Sequence, residues 1–371
     1  MNFNIQIYSP DKFGFYQVGE YKTYSKIEAI EYSLKSKINV HWNFNDEVFS
    51  KVDFSKAPDI SLSELYKLRC QQIRNSYDYV VLFYSGGSDS HNMLMHWIES
   101  GCKIDEVAIL ISYDGSKEKY DYANAEQFRV SIPNTIELSK KHNFDYRIID
   151  FSKYVMDYLS NGEIIYDMNH HLSPNNIAKS LLRSKIDAWK DLILSGKKVC
   201  FVWGHDKINL FPEKNGKMTL QFMDHLDNLV SPITQRNYSN GWYDEFFYHS
   251  PDFPEIIKKQ IDIIKKFLDI RNESLFNLLP YYQQKNNYRG YSSRLNMYLS
   301  DDGYRKLLYP YWDSNTFSNG KSPSTSKSRL DDWIWNGNMP QKDLFLSQHE
   351  IFQSKFASLP VNISRKKYEI I

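Results

Sequence analysis

The chain of 371 residues has only three cysteines, Cys70, Cys102 and Cys200, and they lie far apart without a C-x-x-C pair. This spacing predicts neither a disulfide framework nor a structural zinc site. Basic and acidic residues nearly cancel, 46 against 45, which argues against a protein that binds nucleic acid by charge alone. No apolar run approaches the roughly 20 residues of a membrane helix, and the first residues lack a signal-peptide pattern. We therefore expect a soluble, cytoplasmic protein with no membrane partner.

The length and the hydrophobic content of 42% indicate a folded chain with two or three packed units. Changes of pattern divide it into a small N-terminal α/β unit at 1–60, a central domain at 61–235 and a C-terminal region at 236–371. The apolar spacing within 256–270 predicts an amphipathic helix, and we expect the C-terminal region to be mostly helical. Nothing in the sequence indicates an internal repeat.

Apolar runs alternate with helical patterns through the central domain. Predicted strands cover 78–84, 106–112, 145–151 and 198–203, and predicted helices cover 89–100, 121–142 and 174–195. Pro133 must bend or break the second of these helices, because proline cannot continue the hydrogen-bond ladder. Alternation of this kind predicts an α/β fold, with a parallel sheet and helices on both of its faces.

The segment between the first of these strands and its helix reads Ser85-Gly86-Gly87-Ser88-Asp89-Ser90. Two glycines after a buried strand let the backbone turn with positive φ, so that successive N–H groups point into one concavity. The N-terminus of the following helix faces the same place, and the three serines can add hydroxyl donors. This pattern favours a phosphate-binding loop over an ordinary serine and glycine turn that only caps a helix.

Asp89 lies among these phosphate donors, where a carboxylate would repel a polyphosphate unless a cation intervened. Mg²⁺ binds carboxylate and phosphate oxygens together, so we predict that Asp89 is a metal ligand. The alternative is that Asp89 caps the helix, which is a common role for this residue type.

The S-G-G-x-D-S pattern between a strand and a helix resembles the signature of the PP-loop, or N-type, ATP pyrophosphatases, and residues 85–90 match it in full. The resemblance covers about residues 76–210 and implies a Rossmann-like fold that binds ATP with Mg²⁺ and cleaves it to AMP and pyrophosphate. The layout is similar to the asparagine-synthetase-like branch. Together with the stretch EFFYHSPDFPE at 245–255, it is also similar to PP-loop proteins of tailed phages.

By this resemblance the end of the second strand contacts adenine, which implicates Leu110, Ile111 and Ser112. The three residues could instead be ordinary buried positions of the sheet, and both descriptions can hold together. Tyr84, just before the loop, is predicted to line the same pocket.

The fourth strand ends in Trp203-Gly204-His205-Asp206-Lys207, and neighbouring parallel strands end about 5 Å apart. Gly204 would permit a turn there, Asp206 could share Mg²⁺ with Asp89, and Lys207 could meet a phosphate. Because the related branch has an Asp-Glu pair where this chain has Asp-Lys, metal binding at Asp206 remains one of two alternatives. Lys207, Arg289 and Lys306 are our candidate cations for the leaving pyrophosphate. The alternative for the basic C-terminal residues is a solvated surface.

The resemblance implies that AMP is transferred to a carboxylate, amide or nucleobase oxygen and is then displaced by ammonia or an amine. Asn2 stands where a class II glutaminase has its cysteine, so ammonia from glutamine would need a separate donor protein. The acceptor could be a small molecule or a nucleobase. Two alternatives stay open: a non-catalytic nucleotide-binding or sensor protein, and an enzyme that modifies bases within nucleic acid.

Overall fold

The structure is a computed structural model. It describes Tyr154, Arg183, Ile208, Asp224 and the residues 9–111, 127–151, 185–204, 210–212, 218–222, 241–270, 304–311 and 363–370.

Strands and helices alternate through most of the described chain. The strands are β1 Phe15–Val18, β2 Tyr21–Thr23, β3 Val40–Asn43, β4 Tyr79–Phe83, β5 Glu106–Ile111, β6 Asp145–Asp150, β7 Val199–Trp203, β8 Leu210–Pro212, β9 Met218–Leu220, β10 Trp242–Phe246, β11 Ile363–Arg365 and β12 Tyr368–Glu369. The helices are α1 Lys26–Ser36, α2 Asp46–Phe49, α3 Leu62–Ser76, α4 Ser88–Glu99, α5 Ile132–His142, α6 Asp187–Leu194, α7 Glu255–Ile270 and α8 Tyr304–Leu308. None of the helices in these ranges combines the length and the apolar composition needed to cross a bilayer.

A five-stranded sheet forms the centre of the molecule, in the order β10-β7-β4-β5-β6, and every neighbouring pair is parallel. The middle strand β4 and its neighbour β7 are buried along almost their whole length, as their continuous apolar runs predicted. The predicted Rossmann-like α/β fold with a parallel sheet is therefore confirmed. The fifth strand, β10, was not predicted, and it carries the sheet past residue 235.

The order of the strands creates a crevice beside β4. The chain passes from β4 to β5 and β6 on one side and then returns to β7 on the other side of β4. Helices cover both faces, because Phe83 packs on Trp189 of α6 at 6.2 Å between ring centroids, whereas Tyr84 approaches His91 of α4. In such sheets ligands bind where the strand order reverses, at the carboxyl ends of the strands. Here that position lies between β4 and β7.

Local sequence signals set where several helices begin. The Ser61 hydroxyl accepts a hydrogen bond from the Glu64 N–H at 3.1 Å and caps α3, and Ser25 caps α1 in the same way. Pro133 lies in the first turn of α5, where its missing N–H costs nothing, and a single π-helical turn at Gln127–Ser131 precedes it. The part of the predicted helix before residue 127 lies outside the described residues.

The sheet that contains β1, β2 and β3 is completed by a strand from the C-terminal part of the chain. β11 pairs in parallel with β3, which gives a sheet in the order β11-β3-β1-β2, and β12 joins β9 and β8 in a third sheet. Neither β11 nor β12 was predicted. The predicted helix within 256–270 is observed as α7, and most of the remaining C-terminal region lies outside the described residues.

A buried ionic cluster joins the N-terminal unit to the edge of the central sheet. The Glu245 carboxylate on β10 accepts hydrogen bonds from Lys12 Nζ at 2.5 Å, Arg69 Nη2 at 2.8 Å and the Tyr77 hydroxyl at 2.5 Å. Burial by itself would raise the pKa of Glu245, but the charges of Lys12 and Arg69 hold it below its usual value. Asp252 supplies a second carboxylate, 3.3 Å from Lys12 Nζ. The cluster is therefore neutral overall, with two buried cations and two buried carboxylates.

We expect Arg69→Met to lower the free energy of unfolding by about 3–5 kcal/mol, because it leaves a buried carboxylate with one cation fewer. Urea unfolding of the two proteins would measure this loss. Lys67→Met is the matched control on the same helix, since Lys67 forms a half-exposed ion pair with Glu99 at 3.3 Å and should cost about 1 kcal/mol or less. Equal losses in both variants would contradict a special role for the buried cluster.

Candidate functional site

Residues 84–87 connect the buried strand β4 to the helix α4, at the crevice between β4 and β7. Gly86 has φ +85°, a left-handed conformation that only glycine adopts readily, and Gly87 is the N-cap residue of α4. The N–H groups of the first helical turn therefore face the side of the loop, where the partial positive charge of the helix is concentrated. This is the geometry expected of an anion-binding loop.

The serines of the loop brace its backbone. Ser90 Oγ accepts from the Ser85 N–H at 3.2 Å and donates to the Gly87 carbonyl at 3.1 Å, while Ser85 Oγ accepts from the Gly87 N–H at 3.3 Å. Ser88 and Ser90 are almost fully buried, at 3% and 5% exposure. Ser85 is exposed. Hydroxyl donors for a phosphate stay a prediction at all three positions, whereas the internal hydrogen bonds of Ser85 and Ser90 have no counterpart among the predictions.

Gly204, directly after β7, packs against the first turn of α4. A Cβ atom built on Gly204 would lie 2.8 Å from the Ser90 Cα and 3.2 Å from the Asp89 carbonyl oxygen. The structure thus brings the ends of β4 and β7 together, as predicted. The reason for glycine differs from the predicted one, because Gly204 does not have a positive φ and is required by the close approach of the backbones. Asp206 and Lys207 lie outside the described residues.

Asp89 is half-buried in the first turn of α4. Its carbonyl accepts a hydrogen bond from the Tyr248 hydroxyl at 2.7 Å. Burial and, to a lesser extent, the charge of Asp89 raise the pKa values of Tyr66 and Tyr248. The N-cap residue of α4 is Gly87, which has no side chain to form a cap hydrogen bond, and Asp89 lies two residues further on, so Asp89 does not occupy the N-cap position.

Tyr84 does not face open space. Its ring is 1% exposed, and its hydroxyl lies 3.0 Å from His91 Nδ1 and accepts from Asn134 Nδ2 at 3.3 Å. The structure thus contradicts the prediction that Tyr84 lines the nucleotide pocket. The side chain is buried inside the protein, where its hydroxyl contacts residues of α4 and α5. Neither His91 nor Asn134 was singled out from the sequence. His91 falls within the first turn of α4, directly after the phosphate-loop pattern, and that position was the available signal.

His91 should make the stability of the protein pH-dependent in a defined window. Burial lowers its pKa from 6.5 to about 4. As the pH falls from 6.5 towards 4, the unfolded chain binds this proton before the folded protein does. The free energy of unfolding therefore falls by about 3 kcal/mol across this range. Above pH 6.5 the side chain is neutral in both states and the effect vanishes. We expect His91→Gln to remove this part of the acid destabilisation in urea unfolding at pH 7 and pH 4.5. A pH dependence equal in wild type and His91→Gln would contradict the prediction.

The end of β5 is paired with one neighbouring strand. Leu110 and Ile111 pair with Ile149 and Asp150 of β6, and the Ile111 carbonyl accepts from the Phe151 N–H at 3.1 Å, whereas the pairing with β4 ends at Ala108. Both residues are sheet positions, and Ile111 is buried whereas Leu110 is partly buried. Contact with adenine stays a prediction for them, and Ser112 lies outside the described residues.

The C-terminal segment 304–311 packs against α3 and against α4, the helix that follows the loop. The Tyr66 hydroxyl of α3 donates to the Leu308 carbonyl at 2.8 Å, and the ring of Tyr311 lies 5.1 Å from that of His96 on α4. Lys306 of α8 has an exposed side chain, and Arg289 lies outside the described residues. Both remain predicted pyrophosphate-binding cations.

The described residues are better suited to a metal ion that is also bound by nucleotide phosphates than to a metal ion held by protein side chains alone. Within the described residues, no three His, Cys, Asp or Glu side chains come close enough to hold an ion. Mg²⁺ that is bound with a nucleotide needs only one or two carboxylates, because phosphates and water supply the other oxygens. Asp89, half-buried beside the loop, can supply one such carboxylate.

Comparison with known proteins gives no family assignment, because neither a protein-family model nor a curated protein matches the chain. Similar solved structures include an NH3-dependent NAD synthetase from Campylobacter jejuni, with 15% identity and a TM-score of 0.32, over 72% of this chain and 100% of that one. An NMN synthetase from Francisella tularensis has 13% identity and a TM-score of 0.31, over 82% and 99% of the two chains. A glutamine-dependent NAD+ synthetase from Acinetobacter baumannii has 11% identity and a TM-score of 0.30, over 85% of this chain and 51% of its own. Likenesses this low assign neither a family nor an activity.

Proposed function

We propose that this chain is an ATP pyrophosphatase of the PP-loop superfamily, which binds ATP with Mg²⁺ at residues 85–90 and cleaves the bond between the α and β phosphates. AMP is transferred to an oxygen of an acceptor, and pyrophosphate leaves. The proposal rests on one observation above all. The complete S-G-G-x-D-S pattern forms a left-handed turn at Gly86, between a buried parallel strand and the helix α4, at the point where the strand order reverses.

Each part of the loop has a defined task in this proposal. The backbone N–H groups at the start of α4 hold the β and γ phosphates, and the internal hydrogen bonds of Ser85 and Ser90 keep these donors in place before the nucleotide arrives. Asp89 holds Mg²⁺, with Asp206 as a proposed second ligand. When bound, the metal neutralises charge on the departing pyrophosphate. Lys207, Arg289 and Lys306 are the proposed cations that assist.

In the second half-reaction, the nucleophile comes from a substrate and not from a side chain of the protein. Cys70 and Cys200 are unsuited as nucleophiles, because both are buried and burial raises the pKa of both thiols. Cys102 is half-buried just beyond the C-terminal end of α4, whereas the loop lies at the N-terminal end of that helix. We propose that ammonia or an amine displaces AMP from the acceptor, with ammonia supplied by a separate donor. The acceptor is a small molecule or a nucleobase. Catalysis then consists mainly of positioning and charge stabilisation, so acceptor should accelerate the turnover of ATP.

The test is which bond of ATP breaks. The full chain is incubated with Mg²⁺, ammonium and candidate acceptors, once with ATP labelled at the α phosphate and once with ATP labelled at the γ phosphate. We expect label in AMP from the first and in pyrophosphate from the second. Exchange of labelled pyrophosphate into ATP gives a second readout.

Other outcomes separate the alternatives. ADP and inorganic phosphate as the only products would overturn the proposed chemistry, although the nucleotide binds. Binding of ATP without turnover under any condition would favour a nucleotide sensor. Absence of ATP binding would overturn the assignment of the loop itself.

A further inference from the structure

A buried polar network behind the phosphate loop has no part in the chemistry proposed so far. Its centre is the hydroxyl of Tyr248, two residues past the end of β10. This hydroxyl donates to the Asp89 carbonyl at 2.7 Å and accepts from Asn92 Nδ2 at 3.0 Å. It therefore joins two successive turns of α4 from outside the helix, 159 residues away from Asp89 in sequence.

The main chain of Asp89 is held from two sides. Tyr248 binds its carbonyl oxygen, and a Cβ atom at Gly204 would come within 3.2 Å of the same oxygen, so the end of β7 lies directly against it. A side chain in the first turn of a helix takes its direction from the backbone that carries it. Whatever holds the Asp89 carbonyl therefore also sets the direction of the Asp89 carboxylate.

Tyr248 itself is fixed by aromatic neighbours. Its ring makes edge-to-face contacts with Phe247 at 4.9 Å, Tyr66 at 5.4 Å and Tyr309 at 5.5 Å between centroids. Tyr66 is held in turn by Gln260 Nε2, which donates to its hydroxyl at 3.1 Å. The ring of Tyr248 is fully buried, so its hydroxyl has little freedom to leave Asp89.

We propose that Tyr248 is a positioning residue, which orients the carboxylate of Asp89 towards the nucleotide-bound metal by holding the main chain of the first turn of α4. This inference rests on the proposed function, because it assumes that Asp89 binds the metal. Tyr248 does not touch the nucleotide, and its contribution passes entirely through Asp89.

The test measures how strongly Mg²⁺ tightens nucleotide binding. A non-hydrolysable ATP analogue is titrated into wild type and Tyr248→Phe by calorimetry, with and without Mg²⁺. The tightening is the ratio of the affinities with and without Mg²⁺. One hydrogen bond is at stake, so Tyr248→Phe should reduce this ratio about three- to tenfold, whatever its effect on the metal-free affinity. Asp89→Asn should lose the tightening, and adding Tyr248→Phe to it should change nothing further.

Tyr77→Phe is the matched control. It also removes one buried tyrosine hydroxyl, but that hydroxyl donates to Glu245 in the ionic cluster. It should lower the free energy of unfolding without changing the response to Mg²⁺. A response to Mg²⁺ that is unchanged in Tyr248→Phe, or an effect that adds to that of Asp89→Asn, would overturn the positioning function alone. A wild-type protein that binds the analogue with no response to Mg²⁺ would instead overturn the metal site of the proposed function.

Discussion

The variant Gly86→Val is expected to bind ATP at least about 100-fold more weakly than wild type. Gly86 has φ +85°, and a β-branched residue held in that conformation costs about 1–3 kcal/mol of strain. The loop relieves this strain by changing shape, which turns its N–H groups away from the phosphates. In the proposed site, the valine methyl groups would also enter the space of a bound phosphate. Since each 1.4 kcal/mol is about tenfold in affinity, the two effects together account for the loss. Isothermal titration with Mg²⁺ and ATP measures it.

Two control variants separate the loop from general strain. Gly196 has nearly the same backbone angle, φ +84°, and precedes β7 at the end of the sheet opposite to the loop. A Cβ atom built on Gly196 would meet no other part of the described chain within 4 Å. Gly196→Val should therefore lose similar stability and keep its affinity for ATP. Gly87 has φ −73°, which any residue can adopt, so Gly87→Ala should not strain the backbone. Undiminished binding of ATP by a folded Gly86→Val protein would show that the nucleotide binds elsewhere.

The variant Asp89→Asn is expected to lose turnover by about 100-fold or more, while its affinity for ATP without metal changes only slightly. The amide has the shape of the carboxylate but not its charge, and the metal that this charge holds would stabilise the leaving pyrophosphate. The rate of AMP formation is measured over a range of Mg²⁺ concentrations. Saturation should need far more Mg²⁺ in the variant.

Asp187→Asn provides the control for the helix dipole. Asp187, like Asp89, lies in the first turn of a helix, but on α6 and exposed to solvent. Each variant loses a favourable charge at a helix N-terminus, so both should be slightly less stable than wild type. Only Asp89→Asn should also lose turnover. If turnover is unchanged, Asp89 contributes to the stability of α4 and not to catalysis.

Features with a local cause were predictable. The buried runs of β4 and β7, the caps at Ser25 and Ser61 and the break at Pro133 depend on residues within one strand or one helical turn. β10 was missed although it joins the same sheet. Its sequence, Trp-Tyr-Asp-Glu-Phe, carries two charges that a sequence pattern assigns to the surface, and only partners from distant parts of the chain allow their burial.

The sequence by itself determined the position of the phosphate loop, because the left-handed turn, the buried strand before it and the helix after it all follow from neighbouring residues. Only the tertiary structure decided what surrounds that loop. Gly204 meets Ser90 across more than 100 residues, and Tyr248 reaches Asp89 across 159. The hydroxyl of Tyr84 is internal because of Asn134 on α5. Such contacts depend on how strands are ordered in the sheet and which helices cover each face, and no local pattern of residue types specifies that order.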